Sequence, residues 1–175
     1  MDEILEFWFA DPGRWWKKDP AFDAEIRSRF SDLHESIERG EREDWRETPR
    51  GALAYVIVLD QFSRNMFRGT SRMFASDAQA LAAAHAAIER GYDQALAPAE
   101  RTFLYMPLMH SEDLADQERC VALFQSVAAP DPVRYAEQHR DIIRRFGRFP
   151  HRNEILGRAS TPDELEFLTQ PGSSF

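Results

Sequence analysis

The chain has 175 residues, and its 30 acidic against 22 basic side chains give a formal net charge of −8. At 43% hydrophobic and 30% charged it has ordinary globular composition, which excludes a disordered or collagenous chain. The single cysteine, Cys120, excludes an intramolecular disulfide framework, and the acidic balance opposes nucleic-acid phosphates and anionic lipid. Met1-Asp2-Glu3 carries the wrong sign for a secretory leader, and no apolar run reaches the ~18 residues that span a bilayer. The expectation is a cytoplasmic protein with no membrane or nucleic-acid partner.

Length predicts one domain over residues 1–175. Alanine occurs 22 times against 18 for Val, Ile and Thr together, which favours helix over sheet. Asp19-Pro20 opens a helix whose stripe is Phe22, Ile26, Phe30, Leu33 and Ile37, ending before Gly40. Thr48-Pro49 opens the next. Within it Tyr55-Val56-Ile57-Val58-Leu59 has the look of a buried strand, but no partner strand exists to satisfy its backbone, so a central helix from Pro49 to Phe67 is expected. Ser76-Asp77 starts an alanine-rich helix that stops at Gly91, and Pro98 starts another. Pro107 should kink or end that helix near its last turn, leaving His110, Ser111 and Glu112 at a hinge, with Ser111 as the following cap. Asp131-Pro132 begins a helix that runs to Gly147, and Thr161-Pro162-Asp163-Glu164 combines a capping box with a first-position proline. The predicted architecture is all-α, with about seven to nine helices in antiparallel pairs.

Three polar stretches stand out. Asp60, Arg64 and Arg68 are spaced four apart, with Asn65 between them, at the end of the most apolar helix. Charge there must be paired or must line a wet cleft. The architectural alternative is an Asp60–Arg64 bridge with Arg68 at the helix's negative end. The hinge at His110 and Glu112 can aim an imidazole and a carboxylate at one point, as acid–base chemistry requires. Its bland alternative is a plain helix break. Around a predicted short helix at Pro150 lie His139, Arg148, His151, Arg152 and Asn153, concentrating positive charge in an acidic chain and suiting an anion cradle. There the alternative is a solvated basic turn. His34, His85 and Cys120 are expected to be structural, and Trp15-Trp16-Lys17-Lys18 a loop that packs indoles over the core or a cleft mouth.

The stretches Leu59–Gly69, Glu100–Asp113 and Arg145–Asn153, with Ile4–Phe9 and Leu156–Pro162, resemble an uncharacterised, mainly bacterial family of unknown function. That resemblance spans nearly the whole chain and implies a tetratricopeptide-like helical fold. It implies no activity, and the Trp-x-x-Leu-Gly-x-x-Tyr repeat consensus is absent.

Three functional expectations follow. In the first, the polar stretches converge on one concave cleft, where Asp60, Arg64, Asn65, Arg68, His139, Arg148, Arg152 and Asn153 hold a small anionic ligand or a peptide carboxylate. The second is a hydrolase or lyase with His110 or His151 as acid–base and Glu112 as its orienting group. A metal variant of it, using His110, Glu112, His139 and His151, lacks recognised ligand spacing, so no metal or cofactor is expected. In the third the chain is a helical scaffold, its arginines paired internally with Asp60, Asp77 or Glu112.

Overall fold

The computed structural model describes residues 1–127 and 130–174, which hold nine α-helices and no strand. No helix among them is long and apolar enough to cross a membrane. The helices pack into two compact units, Met1–Pro107 and Leu108–Phe175.

In the first unit, α1 (Asp2–Phe9) leads through a 3₁₀ turn to α2 (Pro20–Glu38). Asp19 caps α2 by accepting from the amides of Ala21 and Phe22, and the chain leaves the helix through Gly40 at a φ of 77°. The centre of the unit is a continuous helical rod: α3 (Pro49–Val56), a π-helical turn over Ile57–Phe62, and α4 (Ser63–Met66). Every residue from Gly51 to Ser63 is buried, so the apolar run is helical, as its lack of a partner strand predicts. It lies among α1, α2 and α5 (Asp77–Glu89). Rings of Phe30 and Trp8 pack on Phe62 at centroid distances of 5.0 and 5.7 Å, and Trp8 packs on Phe103 of α6 (Pro98–His110) at 5.4 Å. Trp15 donates from its indole to the Trp8 carbonyl, while Trp16 stacks on Phe103 yet stays 65% exposed.

The π turn was not foreseen. It widens the ladder, and the Leu59 carbonyl takes hydrogen bonds from two buried hydroxyls, Ser63 Oγ at 2.6 Å and Ser76 Oγ at 2.9 Å. Ser76 therefore turns inward instead of capping α5, which has no side-chain cap. His34 completes this cluster at 2.6 Å from Ser63 Oγ, and burial lowers its pKa to about 4, so it is a neutral core histidine.

In the second unit α6 ends three residues after Pro107, and α7 (Leu114–Ser126) is followed closely by α8 (Pro130–Phe146), which packs along it. Asp113, not Ser111, caps α7; the Ser111 hydroxyl instead donates to Asp116. Helix α8 begins at Pro130, one residue ahead of the expected Asp131-Pro132 start, and ends at Gly147 (φ 69°). A 3₁₀ turn, Pro150–Arg152, leads to α9 (Pro162–Leu168), whose Thr161/Glu164 capping box forms as expected. Ile142, Ile143 and Phe149 form a core with Phe146 and Phe167. Cys120 is wholly buried.

Gly51 is where the 3₁₀ turn Glu43–Glu47 presses on the central rod. A Cβ there would run into the Trp45 carbonyl oxygen and come within 2.8 Å of Thr48 Oγ1. Gly51→Ala is expected to destabilise the protein by about 2 kcal/mol, read as a lowered urea midpoint at unchanged slope.

Candidate functional site

In the first unit the structure gathers Asp60, Arg64, Asn65 and Arg68 around carboxylates. Arg64 donates through both terminal nitrogens to Asp77, at 2.8 and 3.1 Å, and lies 3.3 Å from Asp60. Burial alone would ease the proton off Arg64, but Asp60 and Asp77 outweigh it and hold the guanidinium charged. Gln61 donates to the buried Asp60 carboxylate at 2.6 Å. Arg68 forks onto Asp23 at 2.7 and 3.0 Å, and Asn65 donates to the same carboxylate at 2.7 Å. The α4 carbonyl end, which the architectural alternative gave to Arg68, is taken by Arg27, which donates to the Met66 carbonyl.

The second unit holds His110, Glu112, His139, Arg148, His151, Arg152 and Asn153. The hinge at residues 111–113 is set by buried Gln117, whose amide donates to the carbonyls of Met109 and Ser111 at 2.7 Å each. Glu112 leaves this hinge and accepts from three donors: the Phe149 amide at 2.8 Å and both terminal nitrogens of Arg158, at 2.7 and 2.9 Å. Burial pushes its pKa up, but these bonds outweigh burial and hold the carboxyl below its usual range. Arg158 continues through its Nε to the side-chain Oδ1 of Asn153 at 3.0 Å, and the Asn153 Nδ2 donates to Glu164 at 3.2 Å. Arg148 closes the chain by forking onto Glu164 at 2.6 and 2.8 Å. Phe149 amide, Glu112, Arg158, Asn153, Glu164 and Arg148 thus form one continuous network.

Phe149 is also the hub for the histidines. The rings of His139 and His151 each lie 5.6 Å from its centroid, and the Arg152 guanidinium carbon lies over it at 4.4 Å. His139 Nδ1 is 2.7 Å from the Tyr135 carbonyl, an acceptor only, so Nδ1 carries the hydrogen and Nε2 the lone pair. Burial lowers His139 to about 3, with His110, Arg152 and His151 depressing it further against the Tyr135 bond. Burial and then Arg152 lower His151 to about 4. Both imidazoles are neutral at pH 7. Among the described residues no three His, Cys, Asp or Glu side chains are grouped to hold a metal ion. The metal variant therefore has no ligand set.

Arg158 and Glu164 are the two members of the network that motif reading missed. Glu164 was legible only as a capping-box residue, and Arg158 stands six residues beyond Arg152, the last arginine of the basic cluster it serves. The signal for Arg158 was its place in an acidic, loop-rich stretch where a guanidinium needs a carboxylate. Hydrogen bonds from Arg148, then from the Thr161 amide and Asn153, lower the Glu164 pKa to about 2. That pKa is depressed on folding, so the stability it carries is present above pH ~4.5 and is lost as pH falls toward 2. Glu164→Gln is expected to remove about 3 kcal/mol at pH 7 and to flatten the acid limb of stability against pH in urea titrations. An unchanged acid limb would refute this assignment.

The chain's residues 4–172 match the family model described as bacterial protein of unknown function (DUF924). A solved structure, that of the protein of unknown function ATU0120 from Agrobacterium tumefaciens, is similar at 46% identity and a TM-score of 0.92. The alignment covers 95% of each chain. No curated protein matches. With nearly the whole sequence under one family model and a full-length structural relative at this identity, the chain belongs to the DUF924 family of bacterial proteins of unknown function.

Proposed function

We propose that the protein is a helical binding module whose second unit holds a small anion or a peptide carboxylate against His110, His139, His151 and Arg152. One observation carries the reading. The rings of His139 and His151, from α8 and from the turn Pro150–Arg152, and the Arg152 guanidinium pack around Phe149, and His110 at the end of α6 lies within electrostatic reach of both rings. Neutral imidazoles offer directional hydrogen bonds and Arg152 offers charge, the mixture that recognises oxyanions. Arg148 and Asn153 serve this site by holding its loop through Glu164. Arg64 and Arg68, forked onto Asp77 and Asp23, suit the scaffold role in the first unit. The close packing of α7 on α8 supports a tetratricopeptide-like helix pair, and the thiol of Cys120 suits a reducing cytoplasm.

A second reading, an acid–base enzyme, draws on the fixed tautomer of His139, whose Nε2 is an acceptor at neutral pH. Glu112, engaged by Arg158, orients the hinge in that case and does not carry the proton.

Thermal-shift screening with inorganic phosphate, citrate and short peptides bearing a free C-terminus tests the binding reading. A ligand at a hundredfold excess over its Kd is expected to stabilise the protein by about 2.7 kcal/mol, several degrees in Tm. Arg152→Gln and His151→Asn should lose that response, and Arg64→Gln should keep it. Equal responses from wild type and all three variants would overturn the assignment.

A further inference from the structure

We infer that the cavity between α1 and the first half of α2 is a binding site for an alkylammonium dication, a short aliphatic chain carrying two charged amines. The site lies in the first unit and is independent of the binding reading above.

Helices α1 and α2, with the 3₁₀ turn Pro12–Arg14, line a cavity of about 320 Å³, a size that suits a small molecule. Its floor is aromatic. Phe7 and buried Phe22 stack at a centroid distance of 5.5 Å, and Phe7 is only half-buried, which leaves ring surface for an aliphatic chain to cover. Its walls are built in advance. Arg14 lies over the Phe22 ring at 3.9 Å and Arg29 over the Phe7 ring at 4.6 Å. Glu25 joins the two, 3.4 Å from Arg14 and 3.5 Å from Arg29, and Glu3 pairs with Arg29 at 3.1 Å. Both guanidiniums are thus held by rings and carboxylates of the protein itself, and neither is left to attract an anion.

Surplus charge and open acceptors select the ligand. Four carboxylates line the cavity against two guanidiniums, an excess of two negative charges. Among the described residues Glu6 accepts no hydrogen bond and joins no ion pair. Asp11 gives Oδ1 to the Gly13 amide at 2.9 Å, and its Oδ2 has no donor among the described residues. Glu6 comes from α1 and Asp11 from the cap of the 3₁₀ turn, so one cavity offers two separate acceptors. Two ammonium groups match them in charge and as donors, and the phenyl floor matches the methylene chain that joins the amines. A free diamine and neighbouring lysine side chains of a peptide both present this chemistry.

Isothermal titration of the full chain at low salt, with diaminobutane, n-butylamine, neutral butanediol and a dilysine peptide with blocked termini, tests the site. The diamine is expected to bind about tenfold more tightly than the monoamine, and the diol not at all. Glu6→Gln and Asp11→Asn should each weaken the diamine by a similar factor. Both positions are exposed, and asparagine keeps the acceptor for the Gly13 amide, so the fold is retained. Glu89→Gln, exposed at the end of α5, removes the same charge and should leave the affinity unchanged. That control separates the cavity from the general attraction of cations to an acidic chain. Tighter binding of the peptide than of the diamine identifies a chain-borne ligand and the reverse a free amine, and either result supports the site. Absence of binding by both would overturn the inference, as would equal affinity for mono- and diamine, or equal loss in Glu89→Gln. These outcomes leave the anion site of the second unit untouched, because no residue is shared between the two.

Discussion

The recurring constraint in this molecule is the fork of an arginine closed on a carboxylate. Of its 22 basic side chains only Lys17 and Lys18 are lysines, leaving 20 arginines. Among those that join distant segments, Arg64, Arg68, Arg148 and Arg158 each place two hydrogen bonds on one carboxylate: Asp77, Asp23, Glu164 and Glu112. Planar guanidinium geometry makes such pairs directional as well as attractive, so each one fixes the position of the segment it comes from. In the first unit the pairs tie the end of the central rod to α2 and α5. In the second they hold the loop from Gly147 to Thr161, which has little regular structure of its own.

Helix punctuation was largely legible. Asp19, Thr48 and Thr161 cap helices with their side chains, and the chain leaves helices through Gly40, Gly91 and Gly147 at positive φ. These signals are local, so they survive in the linear sequence. Caps that failed did so for tertiary reasons: Ser76 is claimed by the Leu59 carbonyl and Ser111 by Asp116. The all-helical class followed from the absence of any partner for Tyr55–Leu59, but the π turn inside that segment depends on packing from several sides and leaves no residue signature.

For the site, the sequence picks out the residues and, in its scaffold alternative, Asp60, Asp77 and Glu112 as internal partners for arginines. Charges along Asp60–Arg68 and Arg148–Asn153 were visible as anomalies. Their partners, Asp23, Asp77 and Glu164, lie 13 to 45 positions away, where no periodicity connects them. Glu112, expected as a group that orients an imidazole, accepts from Arg158 and the Phe149 amide, donors that the sequence does not place beside it. The imidazoles of His139 and His151 drew attention by proximity to basic residues, whereas their common feature is an aromatic ring, Phe149, that both pack against.

The π turn at Ile57–Phe62 also sets the azimuth of everything after it. A π turn holds one residue more than the α turn it replaces, and each residue advances a helix by roughly 100°. Shortening this stretch by one residue would swing Ser63, Arg64, Asn65 and Arg68 to a different side of the rod. Ser63 would then leave His34 and Ser76, and the two guanidiniums would leave Asp77 and Asp23. The widened turn thus works as a phase shifter, allowing one uninterrupted rod to present an apolar flank in its first half and a hydrogen-bonding flank in its second.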